Sequence, residues 1–461
     1  MTGSTRSLQR TLGLKDLILI GIGTIIGSGI FIVPATVLRQ TNGSISMALL
    51  VWFVAGVLSL LGALTYGELG AARPDAGGLY VYIRDAFGPL PAFLFGWTSF
   101  LVIGSGSVAT LAVAFTGYLG QIVPVSAVTG KIVAVLMIAV IMVINVRGTR
   151  ESANVQNWTT GFKVAALIVM SIVLIVAGHG FSGAPSTAPR PPALSLLSTF
   201  GTAMIGVLWA YEGWQYVTFS AGEARDPQRT LPRGIIIGTG VMIAIYLLAN
   251  LGYIAALGPV EAAQSERIAA DAVGALLGPA AGTIIAAVIL VSMFSAANGL
   301  TLTTPRVYYA MAQDGVFFRK LGEIHPRFHT PAFSIVASSI WAMVLAASGT
   351  FEQLLTYVVF AGWIFYALGA LSIFVFRRRN PDAVRPFRVP GYPITPLLFV
   401  ASSGAIIVNT IVTQPGRAAV GLGMVLLGAP VFYFWRARAT AAPAEIPAAM
   451  EVPPAAEPAV E

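Results

Sequence analysis

The chain is 461 residues long, 56% hydrophobic and only 10% charged, with a net charge of +8 and no cysteine. So few charges cannot cover the surface of a water-soluble protein of this length, and the composition is that of a polytopic membrane protein. The absence of cysteine excludes disulfides, thiol chemistry, palmitoylation and cysteine-based metal sites within the sequence.

In chain order, twelve segments are apolar enough to span a bilayer at about 20 residues each: 14–38, 46–71, 92–120, 128–145, 154–178, 195–221, 232–257, 278–304, 333–350, 353–376, 393–413 and 417–436. The first is too long for a cleavable signal peptide and has no small-residue cleavage site. Its centre, Gly21-Ile-Gly-Thr-Ile-Ile-Gly-Ser-Gly-Ile-Phe31, is followed by Pro34. Glycine costs about 1 kcal/mol and proline about 3 kcal/mol relative to alanine inside a helix, so this span is expected to unwind midway. In lipid an unwound backbone survives only where protein or a polar cavity satisfies it. Glu68 follows near the end of the second span, where gating and structural pairing with a loop arginine are equally open. Lys163 stands about ten residues into the fifth span, either snorkelling or buried as a charged or proton-linked group.

The proline-rich stretch 181–192 reads as an extracellular connection between two halves. After it the sixth span carries a second interruption, Trp209-Ala-Tyr-Glu-Gly-Trp214. Interrupted spans at matching places in two halves point to a transporter's binding site. Ile26, Gly27, Ser28, Gly29 and Ile30 would present free amides and the positive end of a half-helix to a carboxylate. Carbonyls over Ala210, Tyr211, Glu212 and Gly213 would accept from an ammonium, and Trp209 would close over the bound side chain. Glu212 is a carboxylate at membrane depth with three readings: substrate counter-ion, proton carrier or cap of the following half-helix. His325 and His329 are not read as a metal pair, because Pro326 and a loop setting separate them. No phosphate-binding loop motif is present, and neither a metal nor a cofactor is expected. The segment 439–461, rich in Ala, Pro and Glu, reads as a disordered tail.

The basic residues are sharply divided between the two sides. With these spans, 21 fall on the side of both termini, five fall on the other, and Lys163 alone is left within a span. The positive-inside rule then places both termini in the cytoplasm, with the protein in the plasma (inner) membrane. The excess charge is topological, and no nucleic-acid partner is implied.

Several segments together resemble the amino acid–polyamine–organocation superfamily, in its L-type and bacterial alanine–serine–threonine exchanger-like branch. They are the glycine run 21–31, Tyr66-Gly-Glu-Leu69 with Gly77-Gly-Leu-Tyr80, Trp209 to Trp214 with Gly222-Glu223, Asn298-Gly-Leu, and Arg306 to Gly315. The resemblance implies an all-α, LeuT-like fold of about 12 spans, with helices 1 and 6 discontinuous. Five-helix repeats at 14–178 and 195–376 would be inverted copies, preceded by a cytoplasmic 1–13 and followed by two peripheral helices at 393–436. It also implies that Ile26 to Ile30 line the carboxylate side, that Trp209 to Glu212 hold the amine and side chain, and that Trp209 is an aromatic gate. Lys163 would stand in for a sodium ion and link the two broken helices. Relatives of the L type commonly carry glycine at the position of Glu212. The cysteine that eukaryotic members use to join a glycoprotein subunit is absent, so no disulfide-linked partner is expected.

The function these residues indicate is sodium-independent secondary transport of amino acids across the bilayer, by exchange or proton coupling. A polyamine or other organic-cation transporter of the same fold is the alternative within the class. An embedded enzyme lacks converging acid–base or metal groups, and a nutrient receptor lacks an added signalling domain. The oligomeric state stays open.

Overall fold

A computed structural model describes residues 8–120, 122–180, 193–349 and 351–441. The expected connection at 181–192 and most of the expected tail, 442–461, lie outside the described residues, as do 1–7 of the N-terminal segment. Among the described residues nine helices are long and apolar enough to cross a membrane, or ten when the bent N-terminal pair is counted as one span. Every one of the twelve expected segments coincides with helix. The sixth and ninth are the shorter cases: α9, Ala193–Ala210, stops at the second interruption, and α14, Ala332–Ser348, has 17 residues.

The first span is α1, Leu14–Ile25, and α2, Gly29–Gln40, bent by 46° at the break between them. The second is the single helix α3, Ile45–Ala72. A short helix, α4 (Leu79–Phe87), leads to α5, Pro89–Thr98, which passes through a π-helical turn at Ser99–Ile103 into α6, Gly104–Leu119. Spans four and five are α7, Ala127–Arg147, and α8, Thr149–Ala177. Beyond α9 the chain turns into a 3₁₀ segment, Trp214–Glu223, and then into the long α10, Pro227–Gln264, which is kinked where Gly258 precedes Pro259.

A short α11, Ile268–Leu277, precedes α12, Pro279–Thr303, and α13, Pro305–Gln313, which together form span eight. The chain ends with α14, α15 (Phe351–Arg379), α16 (Ile394–Thr413), α17 (Pro415–Leu426) and α18 (Gly428–Ala441). Helix α18 thus extends five residues past the expected limit of 436 and absorbs the start of the expected tail.

The packing surrounds the broken elements. Helix α1 is buried against α10, α8 and α12, and α2 against α10 and α9. This satisfies the condition for unwinding at membrane depth, since the break faces protein and not lipid. Outer helices show the opposite face: Val128, Ile132, Leu136, Val140 and Val143 form an exposed apolar stripe on α7, as a lipid-facing surface requires.

Candidate functional site

Helical bonding in the first span ends at Ile25 and resumes at Gly29, leaving Ile26, Gly27 and Ser28 to make the break. Ser28 precedes α2 without capping it through its side chain, so the Gly29 and Ile30 amides stand open among the described residues, while the Phe31 amide donates to the Ser28 carbonyl at 3.1 Å. In the sixth span α9 ends at Ala210, and Gly213 turns the chain with φ 143°, a conformation that favours glycine. The two interruptions touch backbone to backbone. A Cβ on Gly213 would lie 2.7 Å from the amide nitrogen of Ile25, and one on Gly29 would lie 2.8 Å from Cβ of Ala210.

Hydroxyl groups fasten this contact. Thr24 Oγ1 donates to the carbonyls of Ile20 and Gly21 at 2.9 Å and reaches that of Gly213 at 3.1 Å. The Tyr246 hydroxyl, on α10, lies 3.0 Å from the Ile25 carbonyl and 3.1 Å from that of Ala210, so one side chain bridges the two breaks. The expected ring of open carbonyls over 210–213 is therefore partly taken: two of the four already accept from the protein.

Lys163 is fully buried, which removes the snorkelling alternative. Its Nζ donates to the carbonyls of Gly23 and Ile26 at 2.7 Å each and lies 3.4 Å from that of Ser292 on α12. The Ser292 hydroxyl adds a bond of 3.1 Å to the Ile26 carbonyl. Lys163 is expected to link both broken helices, but among the described residues its ammonium bonds only to the first of them. It ties the first break to α8 and α12, while Thr24 and Tyr246 make the link to the second.

A cavity of about 50 Å³ lies between the breaks. Gly27, Ser28 and Gly29 form one wall and Trp209, Ala210 and Glu212 another. Of the sequence-predicted residues, Ile26, Ile30, Tyr211 and Gly213 are not on its surface. Ser107 and Thr110 of α6, Tyr216 and Val358 line it instead and carried no signal in the sequence beyond ordinary small or apolar composition. Glu212 Oε1 accepts from the Tyr366 hydroxyl at 2.6 Å and from that of Tyr216 at 3.3 Å. Its cap reading is corrected: the Gly213 amide donates to Gln215 Oε1 at 3.1 Å, and no backbone amide reaches the Glu212 carboxylate among the described residues. Glu212 Oε2 and Ser28 Oγ are both buried without a hydrogen-bond partner among the described residues. Two polar atoms left open on one cavity are the condition a polar ligand would relieve.

The amino acid permease family model matches residues 12–434 of the chain. The chain belongs to the amino acid permease family. Among its relatives, the mouse b(0,+)-type amino acid transporter 1 is 33% identical over 439 residues, covering 93% of this chain and 88% of that protein. The serine/threonine exchanger SteT of Bacillus subtilis (strain 168) is 30% identical over 434 residues, covering 94% and 98%. The human cystine/glutamate transporter is 32% identical over 443 residues, covering 93% and 85%. The protein is thus a multi-pass amino acid transporter and not an enzyme, and the family carries the LeuT-like fold.

A second group of charges lies on the arginine-rich face of the permease, away from the cavity. Glu68 is not a cavity residue. It accepts from Arg377 at 2.6 and 2.9 Å and from the Val389 amide at 2.6 Å, with Arg385 at 3.6 Å. This binds α3 to α15 and to the linker before α16. Arg306, counted in the sequence as a loop cation, is instead fully buried at the start of α13. It pairs with Glu223 at 2.6 and 2.9 Å, and Thr149 Oγ1 donates to the same carboxylate at 2.6 Å. The adjoining backbone pairs Leu12 with Glu223 and Arg225, which ties the N-terminal segment beneath the second break. Nearby, Arg84 on α4 is bound to Asp314 at 2.7 Å. Burial favours its neutral form, but the Asp314 and Asp85 carboxylates outweigh that and hold its pKa above the ordinary value.

Proposed function

We propose that the cavity between the two breaks is the substrate site and that it binds the zwitterionic head of a small amino acid. The observation that carries this reading is the pair of unpartnered buried atoms, Ser28 Oγ and Glu212 Oε2, on one cavity beside the open amides of α2. The amides and the dipole of α2 suit the α-carboxylate. Glu212 and the second lone pairs of the 210–212 carbonyls suit the ammonium. A volume of about 50 Å³ corresponds to about four water-sized volumes, so a small side chain fits this conformation and a bulky one requires Trp209 to move.

The geometry further supports sodium-independent transport. In broken-helix transporters unwound carbonyls are the groups that coordinate a coupling cation. Here the Gly23 and Ile26 carbonyls hold the Lys163 ammonium. Exchange of amino acids, as the name of SteT describes for that protein, is the mode we infer, with Glu212 available to carry a proton. By the distribution of basic residues both termini lie on the cytoplasmic side of the plasma membrane. With no cysteine in the sequence, the permease works without a disulfide-linked subunit.

The test is competition for uptake of radiolabelled serine, threonine and alanine into proteoliposomes. Free amino acids should compete, whereas their methyl esters and N-acetyl derivatives should not. The unpartnered Glu212 oxygen also favours a second reading, an organic-cation carrier. Equal competition by amines lacking a carboxylate would select it and displace the first.

A further inference from the structure

A second cavity, of about 630 Å³, opens on the outer surface between α1 and α8 at their arginine-rich ends. Its α8 wall is a single helical stripe, Arg150, Asn154, Asn157, Trp158, Gly161 and Phe162, and its α1 wall is Lys15 and Leu19. The groove is graded along its length. At the end nearest the loops are Lys15, which is exposed and makes no ion pair among the described residues, and Arg150. Arg150 is paired with Asp16 at 2.7 and 3.3 Å and donates to Asn154 Oδ1, so the net positive charge of the cluster is that of Lys15. Beside them Asn157 Nδ2 donates to Asp16 Oδ1, and its Oδ1 is buried with no donor among the described residues. Deeper in, Trp158 is 82% exposed and Phe162 53% exposed, and a Cβ on Gly161 would meet nothing within 4 Å.

Large apolar rings left bare beside cations are the arrangement of a membrane interface. A lipid is the occupant whose shape follows this grading. We propose that the groove is a binding site for an anionic phospholipid of the cytoplasmic leaflet, its phosphate at Lys15 and Arg150 and an acyl chain along Leu19, Gly161 and Phe162. A headgroup hydroxyl would supply the donor that Asn157 Oδ1 lacks, which favours a phosphatidylglycerol-type head. Placement in the cytoplasmic leaflet rests on the orientation given above. Charge complementarity selects the anionic over the zwitterionic lipid. The site braces α1, whose other end is the break held by Lys163.

Native mass spectrometry of the purified full-length permease, titrated with phosphatidylglycerol or phosphatidylcholine, tests the proposal. Wild type should hold phosphatidylglycerol in preference to phosphatidylcholine. Lys15→Gln should lower phosphatidylglycerol occupancy about fivefold, the effect of one surface cation, and leave phosphatidylcholine unchanged. Gly161→Leu, which has room for its side chain, should fill the groove and lower both. Thermal unfolding in detergent provides an independent reading: phosphatidylglycerol should raise the melting temperature of wild type more than that of either variant. Equal occupancy by the two lipids, or unaltered phosphatidylglycerol binding in Lys15→Gln, overturns the proposal. So does an equal rise in melting temperature with soluble glycerol phosphate, which would make the groove a free-phosphate site.

Discussion

Removing one hydroxyl group, in Tyr246→Phe, isolates the contact between the two breaks. Tyr246 is fully buried, and its hydroxyl is 3.0 Å from the Ile25 carbonyl and 3.1 Å from that of Ala210. A single proton serves both carbonyls, so the substitution deletes about one hydrogen bond and leaves at least one buried acceptor without its donor. That combination costs about 1–3 kcal/mol, and each 1.4 kcal/mol is a factor of ten in an equilibrium. The ring and its packing against Trp52 and Tyr211 are retained, so no cavity term is added. Tyr253 supplies the control on the same helix: it is equally buried, but its hydroxyl has no partner among the described residues. Tyr253→Phe should therefore be neutral or slightly stabilising. The assays are thermal unfolding of the purified protein and binding of a radiolabelled amino acid. Tyr246→Phe should melt earlier and bind roughly tenfold more weakly, with Tyr253→Phe close to wild type. Indistinguishable behaviour of the two variants would refute the claim that a hydroxyl bridge holds the breaks in register.

Lys163→Ala removes the donor of the Gly23 and Ile26 carbonyl bonds; transport in proteoliposomes should fall roughly tenfold or more, since bonds to a charged donor contribute about 1.5–3 kcal/mol. Retained wild-type exchange in that variant would show that the first break holds its shape without the ammonium. Gly29→Val sets a branched side chain against Ala210, 2.8 Å from where its Cβ must lie, and should abolish binding while the protein still elutes as a folded monodisperse peak. Glu212→Gln keeps an acceptor for Tyr366 and Tyr216 but removes the charge. Cationic competitors should weaken about tenfold while neutral amino acids still compete, and an unchanged competition profile would exclude a counter-ion role.

The parts of this account that were legible in the sequence are those whose chemistry is local. Four glycines with a serine and a following proline make a helix costly, so an unwinding midway through the span could be read from propensity, although Gly21, Gly23, Gly29 and Pro34 stay helical and only Ile26 to Ser28 leave the helix. A lysine within an apolar span declares itself in the same way, because its burial is costly wherever it points. Which carbonyls Lys163 meets was not legible from the residues around it, since they belong to α1, the break after it and α12, far away in sequence; only the family resemblance pointed it at the broken helices. Tyr246 and Tyr366 looked like any other tyrosine in an apolar run, because a phenol buried for packing and one aimed at a carbonyl have the same local pattern. Arg306 was misplaced for a related reason. Beside a proline and a polar run it reads as a loop cation, and only the fold brings Glu223 and Thr149 around it. Glu68 left two roles open until its partners on α15 and the following linker were visible.

The central claim is that a fixed ammonium occupies the carbonyls a coupling cation would otherwise use. Its most direct test is the initial rate of amino acid uptake into proteoliposomes preloaded with unlabelled amino acid, in external sodium and with sodium replaced by N-methylglucamine. The account predicts equal rates for the wild-type protein. Uptake that requires sodium would contradict it, because the Gly23 and Ile26 carbonyls cannot hold the Lys163 ammonium at 2.7 Å and a sodium ion together.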